Sequence, residues 1–104
     1  MIERYKRLAE RIRNESADLE REVNRAQKSW RAVSKTTDPE PYIDSVALNL
    51  HGFYSGTERL FALIANQIDE RVPGGEAWHL QLLDQMAQEI EQVRPAVIDT
   101  STVI

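Results

Sequence analysis

A chain of 104 residues has room for one hydrophobic core, and a chain of that size buries about two-thirds of the surface it exposes when unfolded. Its 41% hydrophobic and 29% charged residues are a globular composition, which excludes a disordered or fibrous chain and a multidomain enzyme. There is no cysteine, so a disulfide framework, a thiolate metal cluster and a cysteine nucleophile are excluded as well. Two histidines, His51 and His79, remain for acid–base or metal chemistry. The opening residues carry charge but no following apolar stretch, and the longest apolar run, Leu60 to Ala65, is far shorter than the roughly 20 residues a bilayer requires. The expectation is a single domain over residues 1–104, cytoplasmic and without a membrane partner.

Charge is uneven along the chain. Residues 1–35 carry ten Lys/Arg against six Asp/Glu, a net of +4, and residues 36–104 carry three against eleven, a net of −8, which together give the overall −4. The basic third could face an acidic partner, RNA included. Its signs are mixed, however, and Glu3 with Arg7, Arg11 with Glu15, Asp18 with Arg21 and Glu22 with Arg25 have the spacing of pairs on a solvated helix face.

From Tyr5 the sequence places Ala9, Ile12, Ser16, Leu19, Val23, Ala26, Trp30 and Val33 at alternating steps of four and three, with no Gly or Pro between. That spacing predicts an amphipathic helix over 2–34, whose seam is about 45 Å long at 1.5 Å per residue. Thr36-Thr37-Asp38-Pro39-Glu40-Pro41 then breaks the chain and offers capping residues and prolines suited to a first helical turn. A second helix is predicted over 40–71, carrying Ile43, Val46, Ala47, Leu50, Phe53, Tyr54, Thr57, Leu60, Phe61, Ile64 and Ile68 on one face and stopping at Val72-Pro73-Gly74-Gly75. A third, over 77–94, presents Trp78, Leu82, Leu83, Met86, Ala87, Ile90 and Val93 before Pro95. The fold class is therefore all-α: an antiparallel helical bundle of two long helices and one shorter one, with the first two antiparallel because a short connection joins seams of matched length. Asp99-Thr100-Ser101-Thr102 resembles a helix N-cap with only Val103 and Ile104 beyond it, which reads either as the announcement of a further helix or as a polar tail.

Two groups of residues on the second helix stand out. Asp44, His51 and Glu58 recur every seven positions along one border of the apolar stripe. A histidine flanked by carboxylates suits a general base, and a boundary histidine hydrogen-bonded to its neighbours suits the same pattern. Gly52 and Gly56 lie one turn apart, away from the apolar stripe and beside Leu63. Each costs roughly 1 kcal/mol relative to Ala in a helix interior, so the spacing points to a second contact face where another backbone comes close. Gly52, Gly56 and Leu63 are accordingly the expected interface residues. The pattern offers no cofactor site and no metal site, since neither a third histidine nor a His-Glu-x-x-His arrangement is present. There is no phosphate loop and no nucleophile elbow.

The stretch Ser45 to Phe61, with Ile64-Ala65, followed in order by Val72-Pro73-Gly74-Gly75, Trp78-His79, Leu82-Leu83, Gln85-Met86 and Arg94 to Ile98, resembles the HepT-like branch of the HEPN superfamily. The resemblance implies an all-α bundle that forms a homodimer, an endoribonuclease toxin, and a small nucleotidyltransferase antitoxin as its partner. It also implies an active site made of an Arg followed after four to six residues by a His on a late helix. No Arg here precedes a His by that interval: seven residues and the Val72-Pro73-Gly74-Gly75 break separate Arg71 from His79. In the family that helix follows the segment matched by Arg94 to Ile98. The expectation is thus a toxin-family protein without the ribonuclease motif, binding RNA only if the missing helix is restored. The alternative, from a different class, is a helical dimerisation module with no enzymatic activity.

Overall fold

The computed structural model describes residues 2–99. The cap-like cluster at Asp99 to Thr102 lies outside the described residues from Thr100 onward. Among the described residues the protein is all-α: α1 spans Ile2–Val33, α2 spans Glu40–Ile64 and runs on as a π-helical turn over Ala65–Asp69, and α3 spans Trp78–Ala87. No helix is long and apolar enough to cross a membrane among these residues. The chain divides into two compact units between Thr57 and Glu58.

In the first unit, α1 runs uninterrupted because nothing between Ile2 and Val33 breaks the helical ladder. It ends where Lys35 N–H bonds the Ala32 carbonyl at 3.0 Å and the Thr36 hydroxyl accepts from Asp38 N–H at 3.2 Å. Pro39 then opens α2, its carbonyl accepting from the N–H groups of Tyr42 and Ile43 at 3.0 Å each. Pro41 falls in the first turn, where its missing N–H removes no intrahelical bond. The two helices run antiparallel: the hydroxyls of Ser29 and Ser45 share a hydrogen bond at 2.8 Å, and Glu22 meets Gly52. Asn49 Nδ2 donates to the Ser45 carbonyl at 2.8 Å and to its hydroxyl at 3.3 Å, which fixes the hydroxyl that Ser29 meets.

These contacts show which face of α2 packs on α1. Ser45, Asn49, Gly52 and Gly56 lie on one side of the helix at 100° per residue, and Gly56 is buried. The close approach that the two glycines permit is therefore used within the chain, at Gly52 by the carboxylate of Glu22, which occupies the space a β-carbon would need. Only the end of a flexible side chain must move to admit one. Gly52→Ala should accordingly raise stability by up to about 1 kcal/mol through helix propensity, read from thermal melts; a comparable loss would mean that Glu22 is held in place. Of the charge pairs expected on α1, Asp18 with Arg21 forms, both side chains exposed.

In the second unit the core is built from Leu60, Phe61, Ile64 and Ala65 at the end of α2 with Leu82 and Met86 of α3, Ala65 and Met86 being wholly buried. The second helix stops at Asp69 rather than Arg71 because Glu70 adopts a left-handed conformation (φ 58°) and its N–H closes onto the Ala65 carbonyl. The third helix is shorter than the expected 77–94. After Ala87, Gln88 turns extended (ψ 141°), Gln92 takes φ 66°, and Ile90 N–H bonds the Arg94 carbonyl at 3.0 Å as the chain doubles back. The Gln85 carbonyl accepts from Gln88 N–H at 3.2 Å and from the Arg94 guanidinium at 3.0 Å, and the Gln88 carbonyl, which a longer helix would satisfy with its own N–H groups, accepts from Arg94 at 2.7 Å. Val97 N–H takes the Met86 carbonyl at 2.8 Å. Val93, expected on the helix face, is consequently half exposed.

Candidate functional site

The three residues aligned by sequence on the border of α2 do not form one site. Seven residues of helix span about 10.5 Å, so Asp44, His51 and Glu58 share a face without reaching hydrogen-bonding distance of one another. Asp44 and His51 are exposed. Glu58 pairs instead with the other histidine: its Oε1 lies 3.3 Å from His79 Nδ1. The His79 ring stacks against Trp78, centroids 3.5 Å apart and planes tilted by 33°. Both ring residues begin α3, and His79 is the one that meets the α2 carboxylate. The contact turns the Nδ1 edge of the ring toward the carboxylate and is an ion pair when the imidazole is protonated. The arrangement offers one oriented acid–base group at a partly exposed position, the side chains of His79 and Glu58 being 45% and 24% exposed. Sequence reasoning placed His79 at the start of α3 but could not join it to Glu58, which lies beyond a loop.

A second cluster lies at the far end of α2, and periodicity carries no sign of it. Asp69 accepts from Arg94 Nε through Oδ1 and from Arg94 Nη2 through Oδ2, both at 2.7 Å. The side chains of Arg94 and Asp69 are 6% and 1% exposed. Gln85 Nε2 donates to Asp69 Oδ2 and to the Arg71 carbonyl, each at 2.8 Å. With Nη1 bonded to the carbonyls of Gln88 and Pro95 at 2.7 and 3.0 Å and Nη2 to that of Gln85, all five N–H donors of Arg94 are engaged. Burial works against the ionised form of Asp69, but the hydrogen bonds from Arg94 and Gln85 and the charges of Arg94 and Arg71 outweigh it, so its pKa is lowered. This guanidinium is spent on the fold and has no donor left for a phosphate. The available signal was Gln85 itself, a polar residue between Leu82 and Met86 on the apolar face of α3, which demands buried partners.

Beside this cluster a pocket of about 280 Å³ is lined by Arg71, Pro73, Gln81, Asp84, Gln85 and Gln88. Its polar walls bring no histidine to Arg71. Among the described residues no three His, Asp or Glu side chains converge as metal ligands do. Gly52 and Gly56 lie on the α1-facing side of α2, and Leu63 is partly buried near that helix's end.

An all-helical chain with these elements and this order of residues matches a known family. A family model described as HepT-like protein covers residues 45–104, more than half of the chain, and the protein belongs to that family, within the HEPN superfamily. No curated protein and no solved structure matches it.

Proposed function

We propose that this chain is the toxin-family member of a toxin–antitoxin pair and acts by binding its partner rather than by cutting RNA. Family membership supports the first half of this reading. The second half is carried by the position of the histidines. Phosphodiester cleavage of the family's kind needs a cation held beside a general acid–base group. His79 is held by Glu58 instead, and neither it nor His51 follows an Arg at the family's interval. Arg94 is committed to Asp69 and to backbone carbonyls. The partner implied by the family resemblance is a small nucleotidyltransferase.

The test is direct. Purified protein of these 104 residues, incubated with labelled single-stranded RNA, should leave it intact at concentrations well above those needed for catalysis. Cleavage that disappears in His79→Ala or His51→Ala would overturn the reading and assign the activity to that histidine.

A further inference from the structure

The polar pocket beside the buried ion pair has α3 as one wall and the segment after α2 as the other. Gln81, Asp84 and Gln85 stand on one face of α3 and Gln88 caps its end, while Arg71 and Pro73 close the opposite side. Gln85 is 3% exposed, and its amide is oriented by two acceptors: the carboxylate of Asp69 and the Arg71 carbonyl take both protons of Nε2. That identifies the other amide atom as the oxygen. Among the described residues no donor reaches Gln85 Oε1, and no fully enclosed side-chain polar atom lacks a partner. The oxygen therefore opens onto the pocket that Gln85 lines. Arg71 is anchored at its backbone, its N–H bonding the Ala65 carbonyl at 3.0 Å and its own carbonyl accepting from Gln85. Its guanidinium and the Asp84 carboxylate are exposed and take part in no hydrogen bond or ion pair among the described residues.

We propose that this pocket binds a small zwitterion, a free α-amino acid with an uncharged polar side chain. The ligand's ammonium has three donors and no acceptor, which suits the two acceptors on the α3 wall, the Asp84 carboxylate and Gln85 Oε1. Its carboxylate goes to Arg71, whose planar fork matches two oxygens. Each charge of the ligand thus meets its opposite. The amides of Gln81 and Gln88, which both donate and accept, are left for the ligand's side chain, and Pro73 is the single apolar wall. A volume of about 280 Å³ falls just below the roughly 300–1,000 Å³ of drug-sized sites, so the occupant is smaller than a nucleotide. Two other ligand chemistries fit less well. A phosphate would bring its charge against Asp84, and a nucleobase would find no aromatic ring among the lining residues on which to stack. The inference uses only residues of the second unit and goes beyond the antitoxin reading without resting on it.

Calorimetric titration of the full chain with free glutamine, asparagine and serine tests this. At least one of the three should bind with a Kd below about 1 mM, and its N-acetyl and methyl ester forms, each lacking one of the two charges, should bind at least about tenfold more weakly. Arg71→Gln and Asp84→Asn should each weaken binding of the free amino acid at least about tenfold as well. Both positions are exposed, so the helical circular dichroism should not change, which separates loss of the site from loss of the fold. Guanosine and inorganic phosphate, titrated in the same way, should not compete. No binding of any of the three at about 10 mM, binding that survives Arg71→Gln or Asp84→Asn, equal affinity for the N-acetyl form, or occupation of the pocket by guanosine or phosphate in place of an amino acid would each overturn the proposal.

Discussion

Exchanging Asp69 for asparagine should lower the stability of the protein by about 3–5 kcal/mol, the usual cost of removing one partner of a buried ion pair and leaving the other charge without compensation. The geometry justifies the upper range. Both side chains are almost fully buried, the contact is bidentate, and the amide introduced by Asp69→Asn would turn an N–H toward a guanidinium that has only donors. For a chain of this size the melting temperature should fall by on the order of 15 °C or more. The double variant Asp69→Asn, Arg94→Met should recover part of that loss, because it leaves no uncompensated charge in the buried site.

The same pair gives a pH dependence with a definite sign. The folded-state pKa of Asp69 is lowered, so the unfolded chain takes up a proton more readily than the folded one. The stabilisation is complete above the ordinary carboxylate value of about 3.9 and is lost as the pH falls through the lower value held in the fold. Chemical denaturation of the native chain and of Asp69→Asn should give a gap that is widest near neutrality and narrows below pH 4. A gap that stayed constant with acidity would show that Asp69 does not act through its charge.

Met86→Ala is expected to rank next, at about 2–5 kcal/mol for a buried methionine truncated in a packed core. Met86 is wholly buried and Leu82 beside it nearly so. Val93→Ala serves as the contrast: at 52% exposure it should change stability by no more than about 0.5 kcal/mol. Had α3 continued to residue 94, Val93 would belong to the same face as Met86 and the two effects would be similar.

Local pattern in the sequence reaches only part of this. The first helix was legible to within a residue, because an unbroken pattern of steps of three and four is a local property. The start of α2 was equally legible from Pro39 and Pro41. Which side of α2 meets α1 was not, since a wheel displays both an apolar stripe and a stripe of small residues. Close packing of Ser45 and Gly52 on α1 decided it, leaving Ile43, Leu50 and Tyr54 outward. The early end of α3 depends on carbonyls taken by Arg94, and the Asp69 pair joins residues 25 positions apart; no local propensity carries either fact. Asp44, His51 and Glu58 do share a face, but translation along the helix axis keeps them apart, and Glu58 meets His79 across the loop instead.

Arg94 has one further consequence for a chain without cysteine. By tying residue 94 to residue 69 it closes a ring of the size that a small secreted domain closes with a covalent cross-link, and closing such a ring costs chain entropy that grows only slowly with its length. The tie is indifferent to reductants that would open a disulfide. Protons open it, and without bond exchange it can close again as soon as they leave. The protein therefore holds the segment after α3 with a fastener that responds to acidity and not to redox state.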